Sequence, residues 1–101
     1  MRNTFVEDRN IPENNLSDIL VKLGMKIKLA RVERKLSVLQ LSQICGISDS
    51  HLSHIENGKV KAPSVNLYLK IFYGLDMKPS EFFGILDELP PFDSIKKKRK
   101  D

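Results

Sequence analysis

The chain has 101 residues, 41% of them hydrophobic and 30% charged, with a single cysteine. That suffices for one domain with one modest core, excludes an internal disulfide and fits a reducing compartment. The net charge of +4 favours a polyanionic partner, while no apolar run reaches membrane-span length and no charged-then-apolar leader opens the chain.

The excess charge lies between residues 23 and 86, where nine basic residues stand against five acidic ones. A solvated basic surface and a phosphate-facing one both fit that pattern. Residues 1–14 are polar with scattered apolar side chains and read as an extended arm or a disordered leader. Phe5, Val6 and Ile11 in that stretch are available to the domain or to a partner subunit.

From Asn15 to about Arg34, Leu16, Ile19, Leu20, Leu23, Ile27 and Ala30 recur at three- and four-residue steps. That spacing predicts a helix with one apolar stripe. Gly24 interrupts it at a cost on the order of 1 kcal/mol relative to alanine. Either a neighbour approaches closely there, or the helix begins near it. Lys26, Lys28, Arg34 and Lys35 lie mainly off the stripe. Arg31 lies on it, four residues after Ile27. A buried arginine needs a partner, and Glu56 is the carboxylate expected to supply it.

Ser37 is an N-cap with Gln40 three residues later, the spacing of a capping box, and opens a helix from Val38 to about Cys45. Gly46 stands where the chain must turn. Ser48 is a second N-cap, and Asp49 adds negative charge to the following first turn. That helix runs to about Asn57, with Gly58 as its stop. Leu41 with Cys45, and Leu52 with Ile55, form inward stripes; Ile44 belongs to the same apolar set and Ile47 plugs the corner. Ser42 is small where the two helices approach. Asp49, Ser50, Ser53, His54 and Asn57 remain outside. That face has little carbon and many hydrogen-bonding groups, which suits the edges of bases better than a core. Two short helices about a glycine turn make a helix-turn-helix, which places its second helix in the major groove. A plain structural hairpin shares the spacing.

Lys59 and Lys61 follow in a loop, where they can neutralise phosphates and set register. Ser64 caps a further helix with Leu67, Ile71 and Leu75 four apart and Tyr68 and Phe72 widening the stripe; it ends near Gly74–Asp76. Pro79 opens a helix expected over residues 79–86. Phe82, Phe83, Ile85 and Leu86 are too many apolar residues for a short surface helix, so some close the core and others are left for a subunit contact. The run Leu89-Pro90-Pro91-Phe92 is a breaker that leads out of the domain. The lysine-rich end is a solubilising terminus, a source of nonspecific phosphate affinity or, in a eukaryotic source, a nuclear import signal. The organisation is therefore an arm at 1–14, a domain at 15–86 and a basic tail at 87–101.

The run Ile27–Arg31, L-S-Q-I-C-G-I-S at 41–48, L-S-H-I-E-N-G-K at 52–59 and P-S-V at 63–65 resemble the phage repressor and Cro-like helix-turn-helix family, also called the XRE family, over about residues 23–83. The resemblance implies an all-α, five-helix, lambda-repressor-like fold with the helix-turn-helix at its second and third helices. It implies an internal ion pair between Arg31 and Glu56, base reading by Asp49, Ser50, Ser53 and His54, and phosphate contacts from Asn57, Lys59 and Lys61. It also implies a twofold homodimer on a palindromic operator in double-stranded DNA, regulating transcription, usually by repression, in a prokaryotic or phage setting at the nucleoid. Val38 departs from the family pattern, standing where many members carry a glutamine that caps or touches phosphate. Lys28 or Ser37 is left to compensate. Asp49 repels phosphate but can accept a hydrogen bond from cytosine N4. Phe72 and Gly74 stand where small alanines are expected.

An enzyme is not indicated, because neither a phosphate-cradling glycine loop nor a nucleophile or paired-carboxylate motif is present. His51 and His54 are three apart, but with no second ligand cluster they read as a surface pair, and neither a metal nor another cofactor is implied. The rival reading is an interaction module such as an antitoxin, binding a toxin or co-regulator through residues 1–14 or 82–92.

Overall fold

The computed structural model describes residues 10–95. Most of the expected arm, and the lysine-rich end of the expected tail, lie outside those residues. Among the described residues the chain forms five α-helices, two short 3-10 turns and no strand.

Helix α1, Glu13–Glu33, starts two residues earlier than the apolar spacing indicates. Pro12 sits at its N-cap with φ −58°, and the Pro12 carbonyl accepts from the Leu16 N–H at 3.0 Å. Proline tolerates that position because its ring presets φ and the missing N–H would have no helical acceptor. Ile19, Leu23, Ile27 and Ala30 are buried, with Leu16 and Leu20 half-buried at the stripe's edge. A β-carbon on Gly24 would lie 2.3 Å from the Ile55 carbonyl oxygen and 2.6 Å from that of Glu56. Close backbone approach, not a helix start, is the reason for glycine there.

Helix α2 spans Val38–Cys45 and α3 spans Asp49–Glu56. The Ser37 hydroxyl accepts from the Gln40 N–H at 3.0 Å, and Gln40 Oε1 accepts from the Ser37 N–H at 2.8 Å. Gly46 turns the chain with φ +75°, and its N–H and that of Ile47 both reach the Ser42 carbonyl, at 2.9 and 3.0 Å. Ser48 then caps α3 by accepting from the His51 N–H at 3.0 Å. Leu41, Cys45, Leu52 and Ile55 are buried, and Ile47 is half-buried. Ile44, outside the inward pair Leu41 and Cys45, is 56% exposed. At 3.6 residues per turn it lies about 80° from the line midway between Leu41 and Cys45, which swings it onto the flank of α2.

Helix α4, Val65–Gly74, is capped by Ser64, whose hydroxyl accepts from the Leu67 N–H at 3.1 Å. Tyr68, Ile71, Phe72 and Leu75 are buried. Phe72 and Gly74 divide the space between them. The ring fills the core, while the glycine lets α2 come close: a β-carbon on Gly74 would lie 3.0 Å from Cys45 Sγ and 3.1 Å from Ile44 Cγ2.

Helix α5 is shorter than expected, Pro79–Phe83, and passes into 3-10 turns at Gly84–Glu88 and Phe92–Ser94. Phe82 is fully buried, its ring centroid 4.1 Å from that of Phe72, and Phe83 meets both edge-on. Tilted and edge-on pairs of this kind add about 0.5–1.5 kcal/mol each beyond their burial. Burial also pushes the Tyr68 hydroxyl, in the same cluster, up to about 12. Ile85, Leu86, Leu89 and Phe92 are half-buried against the core. The proline breaker therefore folds the chain back instead of leading it away, because the apolar residues around it have a core to cover.

Candidate nucleic-acid interface

Helix α3 packs on α1 and α2 through Leu52 and Ile55. Its first turn is tied by Ser48. Its last residue is tied by Arg31, which reaches from α1 and is nearly as buried as Glu56. Arg31 Nε donates to Glu56 Oε2 at 2.7 Å and Nη2 to Oε1 at 3.1 Å, while Nη1 donates to the Leu36 carbonyl at 2.8 Å. The paired, parallel bonds match the planar guanidinium to the carboxylate and fix direction as well as distance. Three segments are thus held by one side chain: the end of α1, the loop before α2 and the end of α3.

With its inner face and both ends fixed, α3 turns the remainder outward. Asp49, Ser50, His54 and Asn57 are exposed and Ser53 is half-buried. These residues share one side of an eight-residue helix. Asp49 Oδ1 accepts from the Ser50 N–H at 2.9 Å. Asn57 Nδ2 donates to the Ser53 carbonyl at 2.9 Å, so the second hydrogen of that amide is what Asn57 has to offer an acceptor.

Lys59 and Lys61 are exposed in the loop between α3 and α4, directly beyond that face. Lys28 is exposed on α1, and Ser37 is exposed at the start of α2. The structure leaves these two on separate elements from the loop lysines. The Ser37 backbone N–H is spent on Gln40, so its hydroxyl proton is the group it can present. Val38 is half-buried against the core and supplies packing instead of a donor.

Cys45 is buried, and burial raises its thiol pKa, which disfavours the thiolate that nucleophilic or metal chemistry needs. Among the described residues no group of three or more His, Cys, Asp or Glu side chains is placed to hold a metal. Among the same residues no helix is long and apolar enough to cross a membrane. Sequence reading passed over Asn66 and Lys70, and took His51 only as half of a surface histidine pair. The three line one pocket, which no local pattern signals because they come from two helices.

A capped, rigidly held helix with a polar outer face, followed by a lysine loop, defines a helix-turn-helix DNA-binding domain. The helix-turn-helix family model matches residues 27–82, more than half of the chain. Among solved structures, the restriction-modification controller protein C.AhdI from Aeromonas hydrophila is similar, with 31% identity and a TM-score of 0.60, over 63% of this chain and 96% of that one. No curated protein matches the chain. The chain belongs to the XRE-type helix-turn-helix family of DNA-binding transcriptional regulators.

Proposed function

We infer that this chain is a sequence-specific repressor that lays α3 in the major groove of a palindromic operator as a twofold homodimer. The observation that carries the reading is the outer face of α3: polar, exposed, and immobilised by Ser48 at one end and the Arg31–Glu56 pair at the other. Asp49, Ser50, Ser53 and His54 read bases, with Asp49 suited to accept from cytosine N4. Asn57, Lys59 and Lys61, with Lys28 and Ser37, hold phosphates and set register. Repression follows where such a site overlaps a promoter, in the cytoplasm of a prokaryote or of a phage-infected cell. The reading includes no enzymatic step.

Support for the homodimer comes from α4. Val65, Leu69 and Tyr73 recur at steps of four, 64%, 44% and 91% exposed, beside Ile44 from α2. One continuous apolar strip on a single helix suits a contact in which the same patch meets itself. A second reading, an antitoxin-like module holding a protein partner, draws on a different strip: Val21, Met25, Leu29 and Val32 along α1, each about half exposed.

Selection of bound duplexes from a random pool tests the first reading against the second. A twofold consensus with half-sites about one helical turn apart is the expected result. A pool that enriches nothing overturns sequence-specific binding and leaves the partner module.

A further inference from the structure

Helix α1 carries a second apolar strip on the side it turns to solvent. Val21, Met25, Leu29 and Val32 are 48%, 48%, 57% and 54% exposed. At 100° per residue they fall within about 80° of one another, and their centre lies about 170° around the helix from that of its buried face. The inner face closes the core, so the outer one is apolar for another reason. Over about 16 Å, or three turns, roughly half of each side chain stays open to solvent.

The borders of the strip say what fits it. Lys22 and Lys26 stand on one edge and Lys28 on the other. The nearest acids on α1, Asp18 and Glu33, lie beyond its two ends. None of the three lysines is in an ion pair among the described residues. Beside Leu29 the strip opens into a hollow of about 430 Å³, with Ala30 and Met77 as its floor and Lys26, Arg34, Glu33 and Glu81 at its rim. Both rim carboxylates are engaged: Glu33 lies 3.7 Å from Arg34 Nη1, and Glu81 Oε1 accepts from the Lys78 N–H at 3.0 Å.

A stripe about 80° wide is the seam along which two helices pair, narrower than the face that beds a helix into a core. It also lacks the Trp and Phe side chains with which helices enter a lipid surface. A second copy is the poorer occupant. In an antiparallel pair the lysines of each edge face the same edge of the other copy, and in a parallel pair Lys26 of each copy faces Lys28 of the other, so like charges meet either way. Neither end of the chain beyond residues 10–95 supplies an excess of acid: residues 1–9 hold two acidic and two basic side chains, and residues 96–101 one acidic and five basic.

We propose that the outer face of α1 docks an acidic amphipathic helix of another protein. That helix lays its apolar stripe along Val21, Met25, Leu29 and Val32, sets one anchor side chain in the hollow over Met77, and brings carboxylates to Lys22 and Lys26. Lys28, at the other edge, is left to phosphate. The strip and the base-reading face belong to different helices, so docking adds to DNA reading instead of replacing it.

The test uses two synthetic helical peptides of about five turns with one apolar stripe in common, flanked by glutamates in the first and lysines in the second. Each is titrated into the full chain and followed by fluorescence anisotropy. Expected is binding of the glutamate peptide about tenfold or more tighter than of the lysine peptide. Met25→Gln combined with Leu29→Gln weakens it by about tenfold or more, through lost apolar burial, while the melting temperature and the affinity for duplex DNA stay close to wild type. Lys22→Glu combined with Lys26→Glu reverses the order of the two peptides. Equal affinity for both peptides, or full affinity in the Met25→Gln, Leu29→Gln variant, overturns the proposal. A wild-type dimer that this variant takes apart in sedimentation gives the strip to a second copy and overturns it too. So does binding to phosphatidylserine vesicles that the variant abolishes, which gives the strip to a lipid surface. The peptides are read without DNA, so a failure of the base-reading face leaves these outcomes distinct from it.

Discussion

Replacing Arg31 by alanine removes three hydrogen bonds at once. It leaves the Glu56 carboxylate, whose side chain is 4% exposed, without its two N–H donors, and it frees the Leu36 carbonyl that Nη1 holds at 2.8 Å. Water reaches so little of Glu56 that rehydration cannot replace the lost partner. Breaking a buried pair on one side costs about 3–5 kcal/mol, set against a total stability of about 5–15 kcal/mol for a domain. At about 4–8 °C per kcal/mol for a chain of this size, Arg31→Ala should melt at least ~12 °C below wild type. Circular dichroism with urea and heat measures both quantities. Arg31→Met combined with Glu56→Leu removes both charges and should recover most of the loss, because what destabilises the single variant is the stranded carboxylate. Arg31→Ala within about 1 kcal/mol of wild type, or a double variant as unstable as the single, would refute this account of the pair.

Gly24→Ala should cost about 2 kcal/mol or more by urea titration, because the obstacles to its β-carbon are two backbone oxygens of α3 and α1 must move to clear them. Gly84→Ala is the matched contrast: its β-carbon meets nothing within 4 Å and its φ is −59°, so it should be neutral or slightly stabilising. Lys61→Ala should weaken binding to every duplex and reduce the slope of log affinity against log salt by about 0.9, measured by fluorescence anisotropy; a changed consensus instead would make Lys61 a base reader. Tyr73→Glu, at a site 91% exposed, should leave the melting temperature within the small range of surface substitutions while light scattering reports a monomer. A variant that remains dimeric removes α4 from the contact.

What could be read in the sequence was local or periodic. The Ser37–Gln40 box, the Ser48 cap and the turn at Gly46 each depend on residues at most five apart, and their hydrogen bonds are those the spacing implies. Arg31 was legible for another reason: a charge on an apolar stripe demands a partner. Misjudgements arose where tertiary packing decides. Leu89 and Phe92 flank a proline pair that reads as an exit, yet the core left open beside Phe82 and Phe83 draws them back. Helix α5 gives way to a 3-10 turn at Gly84, where local propensity carries little signal. The His51–Asn66–Lys70 pocket was invisible because the loop over 57–64 sets which residues of two helices meet.

The central claim is that α3 reads base edges through Ser50, Ser53 and His54. The measurement that tests it most directly is the consensus selected from a random duplex pool by wild type, Ser50→Ala and His54→Ala in parallel. Each variant should keep its affinity for phosphate and lose discrimination at its own position within each half-site, by ~1–3 kcal/mol per lost base contact. Identical consensus sequences from all three proteins would contradict it.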